Sequence, residues 1–578
     1  LLLFLLATIL PVIHACTDIL VTPGASVDGS ALIAYNADSP NLFGTVYHYP
    51  ATTTTNDTHS NNNQTNKRPI YDWDSGAYRG EIDEAPVTYN VVGNANEHGL
   101  VIGETTFGGV AALAWTQTDG ILDYGSLIYV TLQRSRTCRE ALFTMAALLD
   151  EYGYASGGES FSLADASGAV WMMEVIGKGP GRVGAVWVAQ RIPDGHVAAH
   201  ANQARITTFF GRNDSDTYLW SPDVVDFAIQ QGLYPADADP RDFSFSDVYC
   251  PLTFEGVRQG EARVWSIFSQ IAGPAFQEQF QDYARGVNLT VRMPLYIRPP
   301  QKLSLLKVTH LMASHYEGTV LDSSTDVGAG VFGSPYRPRP LSWEYNGTTY
   351  VNERSVATPK TGWSFIAQVR PWMPSELTTI LWFAADDSST APRVPIYAAS
   401  TQIAPPYAGQ GAQDGVMTPL LQFDLDKAFW VQNQVSNFAY FRWKDVYPVL
   451  RAKIDQVQGD FERLVQRTDR EARRLDATRI RRAFVTRFSV TAGTQLHEEW
   501  KQFYGTLFVR FRDFYTIVPH PDDPVCGCEA REPGLSVDLK RRIVAETGDR
   551  YQSRNAADDH RPDVVLGEAD PAVRAVQQ

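Results

Sequence analysis

Two periodicities alternate along this chain. Residues 16–22 (Cys-Thr-Asp-Ile-Leu-Val-Thr) and 30–36 (Ser-Ala-Leu-Ile-Ala-Tyr-Asn) are short β-prone runs. Pro23-Gly24 and Asp28-Gly29 between them are turn signals, so the two runs predict a hairpin. Folding it about its loop pairs residues whose numbers sum to about 53, give or take two, which sets Cys16 opposite Tyr35 to Asp38. A second hairpin is expected from 87–93 and 100–104, joined by Asn94 to Gly99. A third joins 160–164 to 169–175 through Asp165-Ala-Ser-Gly168, and further strands are expected at 183–190 and 196–200. Thr137-Cys-Arg-Glu140 has a capping-box pattern, and Leu142, Met145, Leu148 and Leu149 follow at helical spacing.

From about residue 295 the texture turns Pro-rich and aromatic-rich, with strands expected around 364–370 and 378–384. Two long helices follow. Leu450, Ile454, Val457, Phe461 and Leu464 mark the first, with Pro448 in its opening turn; Leu496, Trp500, Phe503, Leu507 and Phe511 mark the second. Hairpins interleaved with amphipathic helices predict an α+β fold of antiparallel sheets covered by helices. The basic stretch Arg467 to Arg482 reads as a solvated helix face, and the segment beyond about 530 as a loosely ordered charged tail.

Composition narrows the function classes. With 44% hydrophobic and 20% charged residues over 578 positions, the chain has ample material for a buried core, which excludes wholesale disorder. A net charge of −15 without a long Lys/Arg tract elsewhere excludes a polyanion binder, so no nucleic-acid partner is expected. Leu1 to Ile13 carry no charge and are almost all aliphatic. They are too short to span a bilayer but fit the apolar region of a signal peptide ending at Ala15. Five sequons, at Asn56, Asn63, Asn213, Asn288 and Asn346, agree with a secreted or endomembrane-lumen product. No later stretch is long enough for a membrane span.

The five cysteines are Cys16, Cys138, Cys250, Cys526 and Cys528. An odd count suggests one reactive thiol and two bridges, and Cys16 is the odd one by position. Cys526 and Cys528 are expected to bridge to Cys138 and Cys250, with the connectivity open. Cleavage after Ala15 makes Cys16 the first residue. Its α-amine, ordinarily at a pKa of about 7.7–8.0, then lies beside a thiol of about 8.5 and can take its proton without a histidine. The thiolate attacks an amide carbonyl, fixed donors hold the oxyanion, and the protonated amine protonates the leaving group. A carboxylate near the amine would orient it, and the hairpin register puts Asp38 there. No His pair has H-E-x-x-H spacing and Cys526-Gly-Cys528 lacks a second pair, so neither metal nor cofactor is expected.

Cys16-Thr-Asp-Ile-Leu-Val, Ala25-Ser-Val-Asp-Gly-Ser30 and Asn36-Ala-Asp38-Ser39 together resemble the start of the C69 dipeptidases, which are N-terminal-nucleophile hydrolases. The likeness continues through Asn94 to Thr106, Asp123-Tyr-Gly-Ser126, Gly158-Glu-Ser-Phe161, Trp171-Met-Met-Glu174 with Gly177-Lys-Gly-Pro180, and His200-Ala-Asn-Gln-Ala-Arg205. It reaches Asp326-Val-Gly-Ala-Gly330, Asn352-Glu-Arg354 and Ser436-Asn-Phe-Ala-Tyr440, so it spans roughly residues 16–515.

The resemblance implies a four-layer αββα core and cleavage of dipeptides with a free N-terminus. The leader read from the apolar N-terminus, the change of texture near 295 and the charged tail divide the chain into a leader (1–15), a core (16–295), an extension with strands and two long helices (296–515), and a Cys-containing segment with its tail (516–578). The resemblance implies Cys16 as nucleophile with Asp38 beside it. One departure stands out, since the wider fold commonly carries Arg where this chain has Tyr35. Asn94, Asn96 and Asn202 are candidate oxyanion donors, and Arg205 follows Asn202 at a distance that could bring it to the site. A buried carboxylate is needed for the substrate ammonium, and Glu104, Asp123, Glu159 and Glu174 compete for that role. Two rival readings are a non-peptide acyl-amide hydrolase on the same fold and a secreted binding protein with a blocked Cys16. The oligomeric state stays open.

Overall fold

The computed structural model describes residues 16–53, 67–115, 117, 119–209, 214–336, 342–409 and 420–552. The expected leader 1–15 and the sequons at Asn56, Asn63 and Asn213 lie outside them. The chain divides into two units, Leu1–Phe511 and Arg512–Gln578.

The first unit is α+β. Its longer strands are, in chain order, β1 (Thr17–Val21), β2 (Ala31–Asp38), β3 (Val101–Gly108), β4 (Gly158–Ala164) and β5 (Val170–Gly177). They continue with β6 (Ala185–Arg191), β7 (Val197–His200), β8 (Thr361–Val369), β9 (Thr379–Ala384) and β10 (Val394–Tyr397). Its principal helices are α1 (Tyr124–Arg134), α2 (Cys138–Tyr152), α3 (Ala262–Ala272), α4 (Leu305–Met312), α5 (Ala428–Phe441), α6 (Trp443–Ala472) and α7 (Thr478–Arg510).

One antiparallel sheet runs β7-β1-β2-β8-β9-β10, with Tyr296–Ile297 at its edge. The other runs β6-β5-β4-β3, flanked by Tyr218–Trp220 on one side and three two-residue strands on the other. The sheets pack face to face through β1 and β2 against β3 and β4. Helices α1 and α2 cover the outer face of the second sheet, and α3, α4, α6 and α7 that of the first. Alternation within β5 shows the partition: Val170, Met172 and Ile176 join the core between the sheets, whereas Trp171, Met173 and Val175 join the core under α1 and α2.

The first hairpin has the expected register. Thr17 pairs with Asn36 and Asp18 with Tyr35. Its turn is fixed by Asp28, whose Oδ1 accepts from the Ser30 amide at 3.1 Å and from the Ser26 hydroxyl at 2.7 Å, and by Gly29 at φ 79°. Gly103 in β3 is small because the sheets approach closely there. A Cβ on it would sit 2.8 Å from Asp18 Oδ2. His200 is buried between the sheets, 2.7 Å from both the Thr105 and Ser162 hydroxyls. Burial pushes its pKa down to about 3, so it is a neutral cross-sheet tie.

Several expectations are corrected. The second hairpin is a tighter meander, because Ala95–Asn96 forms a strand of its own between Val91–Val92 and β3. Pro448 lies inside α6, which begins at Trp443, rather than in its opening turn. The division near 295 does not separate one core from another: β8 pairs with β2, so strands from 361–397 complete the sheet begun by β1 and β2. The basic stretch is not wholly solvated, since Arg481 bonds the buried Glu376 and Arg482 pairs with Glu97.

The expected bridges are also absent. Cys526 pairs with Cys528, and Cys138 and Cys250 are buried free thiols. Cys138 begins a helix packed on the second sheet, its sulfur 3.6 Å from the Ala169 carbonyl. In the second unit, the Cys-containing segment forms a hairpin (Thr516–Pro519 with Cys528–Arg531), and the segment read as a loose tail beyond about 530 holds a helix, Val537–Thr547, capped by Ser536. Among the described residues no helix is long and apolar enough to cross a membrane.

Candidate active site

Cys16 immediately precedes β1 and is 2% exposed. Its Sγ lies 3.6 Å from Tyr35 Oη and 3.7 Å from Glu104 Oε1, and the Tyr35 hydroxyl donates to the same Glu104 oxygen. Tyr35 comes from β2 and Glu104 from β3, so the two sheets meet at the sulfur. Burial pushes the thiol pKa up, and the charges of Glu104 and Asp38 push it further. The Asp38 main-chain N–H and the Tyr35 hydroxyl act in the opposite sense. In the uncleaved chain the Cys16 nitrogen is the amide to Ala15, so no amine is present to take the proton.

Asp38 ends β2 and is buried. Its Oδ1 accepts from the Thr361 hydroxyl at 2.6 Å, a contact made possible because β8 pairs there. Burial raises its pKa to about 7. Lys360, Thr361 and Arg263 pull it back, and Asp387 adds to the rise.

Arg263 completes the site, and nothing in the sequence motifs had singled it out. Its Nη1 donates to the Cys16 carbonyl at 2.6 Å and to Thr17 Oγ1 at 2.7 Å, while Nη2 donates to Asn202 Oδ1. A π-helical turn, Val257–Glu261, precedes it, and Gly260 lets that turn approach the Ala201 carbonyl, which a Cβ would meet at 2.6 Å. The available signal was an arginine set among Ala262, Val264, Trp265, Ile267 and Phe268, a setting that only a buried partner makes tolerable. Asn202 occupies a left-handed backbone position, φ 54°, tolerated by asparagine. Its Nδ2 donates to the Thr106 carbonyl. A side-chain amide NH2 is a donor group of the kind an oxyanion requires.

The other expected residues separate from Cys16. Asn94 bonds the Ile102 carbonyl at 2.8 Å. Asn96 is fully committed: Nδ2 donates to the Leu132 and Ser135 carbonyls, both at 2.7 Å, and Oδ1 accepts from His98 and Leu100 amides. It ties the end of α1 to the meander. Arg205 turns away to Glu261 (2.9 Å) and to the carbonyls of Ala199 and Pro294, lining a cavity of about 220 Å³ with Tyr283 and Arg292.

Of the four carboxylates, Asp123 caps α1 and Glu174 accepts from the Arg205 and Ile206 amides, both structural tasks. Glu104 is at the sulfur. Glu159 stands beside it on β4, accepting from Thr106 Oγ1 at 2.7 Å. Of the sequons within the described residues, Asn288 and Asn346 are both exposed.

A buried thiol at the head of a strand, with two carboxylates acting on it and an arginine holding its own carbonyl, is an arrangement suited to nucleophilic acyl transfer. Comparison with known proteins names the class further. The model of peptidase family C69 matches residues 15–455, and the chain belongs to that family; it is a peptidase. A protein described as a probable dipeptidase from Salmonella dublin is 26% identical over 397 residues, 66% of this chain and 81% of the relative. Dipeptidase A of Lactobacillus helveticus is 23% identical over 496 residues, 80% of this chain and 89% of the relative. A dipeptidase of Bifidobacterium longum is 24% identical over 409 residues, 66% of this chain and 71% of the relative.

Proposed function

We propose that this chain is a cysteine dipeptidase acting on dipeptides with a free N-terminus, built as an N-terminal-nucleophile αββα sandwich and matured by removal of residues 1–15. The observation that carries the reading is the place of Cys16: last before β1, its sulfur against Tyr35 and Glu104, its carbonyl held by Arg263. Cleavage after Ala15 turns the Cys16 nitrogen into an amine one residue's reach from the thiol. The amine takes the thiol proton, and the sulfur attacks the peptide carbonyl, forming the S–C bond. Asn202 serves as the donor to the developing oxyanion, and the α-ammonium returns the proton to the leaving amine as the C–N bond breaks. Water then hydrolyses the thioester. Asp38 orients the amine, and Arg263 fixes both the Cys16 carbonyl and the Asn202 side chain.

Secretion or delivery to an endomembrane lumen accompanies this maturation, a reading supported by the exposed sequons Asn288 and Asn346. The test is intact mass and N-terminal sequencing of the product, before and after iodoacetamide, with dipeptide hydrolysis followed in parallel. A chain beginning at Cys16, alkylated there and inactive afterward, is the expected result. A product that begins elsewhere, or keeps its activity with Cys16 blocked, overturns the reading.

A further inference from the structure

The carboxylate beside Cys16 is a puzzle for a nucleophile. A negative charge 3.7 Å from the sulfur disfavours the thiolate that the reaction needs. Its neighbour Glu159 is fully buried, its Oε2 has no hydrogen-bond partner, and the charged groups acting on it most strongly, Glu104, Asp74 and Asp123, are acidic. Two adjacent buried carboxylates call for a cation.

The geometry of the reaction supplies one. In a dipeptide the α-nitrogen is two bonds from the attacked carbonyl carbon, a separation of about 2.5 Å. With the sulfur poised about 3–3.5 Å from that carbon, the ammonium must sit within a few ångströms of Sγ. Of the four buried carboxylates considered above, only Glu104 touches the sulfur.

We propose that Glu104, backed by Glu159, receives the α-ammonium of the substrate, and that this docking switches Cys16 into its reactive state. The inference rests on the dipeptidase reading. The groups facing the thiol are Tyr35 and Asp38 from β2, Glu104 from β3, Tyr124 from α1 and Arg263 from α3. Before substrate binds, Glu104 and Asp38 hold the thiol protonated. The bound ammonium neutralises Glu104, the thiol gives its proton to the Cys16 amine, and attack follows. A substrate with a blocked N-terminus brings no positive charge, so it loses activation as well as binding. The free amino group is read twice.

The experiment uses the mature chain beginning at Cys16. In the wild type, acylation rates on Ala-Ala are measured across pH at saturating and at limiting substrate, which report the bound and the free enzyme. The ascending limb is expected about one pH unit lower for the bound enzyme; coincident limbs overturn the switch. In Glu104→Gln, kcat/KM on Ala-Ala is expected to fall about 100-fold while that on N-acetyl-Ala-Ala does not fall. Alkylation of Cys16 by iodoacetamide at neutral pH rises about tenfold, the equivalent of one pKa unit. Unchanged discrimination with unchanged alkylation overturns this inference and leaves the dipeptidase reading intact. Full activity in Cys16→Ala overturns the reading itself. Glu159→Gln is expected to weaken Ala-Ala cleavage with a smaller effect on alkylation, since Glu159 acts behind Glu104.

Discussion

Four buried carboxylates divide into two pairs with opposite surroundings. Glu174 and Asp123 meet main-chain amides: those of Arg205 (2.5 Å) and Ile206 (3.1 Å) for the first, Ser126 (2.7 Å) and Trp73 (2.5 Å) for the second. Glu104 and Glu159 meet side-chain hydroxyls and a thiol, from Tyr35, Thr106 and Cys16. An amide N–H cannot turn away, so a carboxylate with one of them on each oxygen pins a loop. A hydroxyl or thiol rotates, and the thiol gives up its proton. Burial raises the pKa of Glu174, Asp123 and Glu159 alike, so titration alone would not separate the pairs. The donors do.

Arg263 belongs to the reactive side of that division, and its loss should have the largest effect. Arg263→Ala is expected to lower kcat/KM on dipeptides by about 10²–10³-fold, the range for removing a fixed oxyanion-side support. Arg263→Lys should recover little of it, because a single ammonium cannot hold the Cys16 carbonyl, Thr17 and Asn202 together. Steady-state kinetics of the two variants check this. A lysine variant near wild type would mean that charge alone suffices.

The structural pair predicts a pH effect on stability. Burial raises the Glu174 pKa to about 8 and that of Asp123 to about 7, against unfolded values near 4.5 and 3.8. Between the unfolded and folded values the native state holds the proton that the unfolded chain has lost. Each group therefore stabilises the fold at low pH and loses that contribution as pH rises towards 7–8. The slope is at most about 1.4 kcal/mol per pH unit per group. Thermal melts of the mature chain should show Tm falling between pH 5 and 8, and Glu174→Gln should flatten that fall. A flat wild-type profile would place both groups among permanently ionised, amide-bound anions.

The division between the pairs also explains what could be read from the sequence. The first hairpin was legible to within about two residues, because turn chemistry and period-two patterning are local, and its register alone brought Tyr35 and Asp38 to Cys16. The sheet division was not. Pairing of β8 with β2 joins residues more than three hundred positions apart, and no local pattern encodes it. The same distance hid Thr361 from Asp38. Arg263 escaped because its role depends on a π-helical turn meeting the 201–202 corner. Arg205 was misplaced because sequence spacing from Asn202 says nothing of direction: the chain reverses at a left-handed asparagine, and the guanidinium leaves for Glu261. Asn96 was equally readable as donor or brace, since an amide serves either.

Asn96 sharpens the comparison on the structural side. Asn96→Ala removes four hydrogen bonds at once and leaves the Leu132 and Ser135 carbonyls buried without that donor. The expected cost is about 2–4 kcal/mol of stability. Catalysis by the protein that remains folded should change less than about threefold, because no Asn96 group is bonded to a residue at Cys16. Denaturant melts and kcat normalised to folded protein separate the two effects; a kcat loss comparable to that of Arg263→Ala would return Asn96 to the oxyanion role.

The smallest effect concerns the other cysteines. A single reactive thiol predicts that the remaining four contribute nothing to turnover. The Cys526–Cys528 bridge joins residues only 2 positions apart in sequence, so it constrains the unfolded chain far less than a long-range bridge would. Cys138 and Cys250 are buried, and burial pushes both thiols up, Cys250 to about 12, so neither supplies a thiolate near neutrality. The double variant Cys526→Ser/Cys528→Ser should keep kcat/KM within about 1.5-fold and shift Tm of the first unit negligibly. Pulse alkylation of the native mature protein should label Cys16 before either buried thiol. Faster labelling of Cys250 would make burial a poor guide to reactivity in this molecule, and the contrast between the two carboxylate pairs would then have to rest on the kinetics of Glu104 alone.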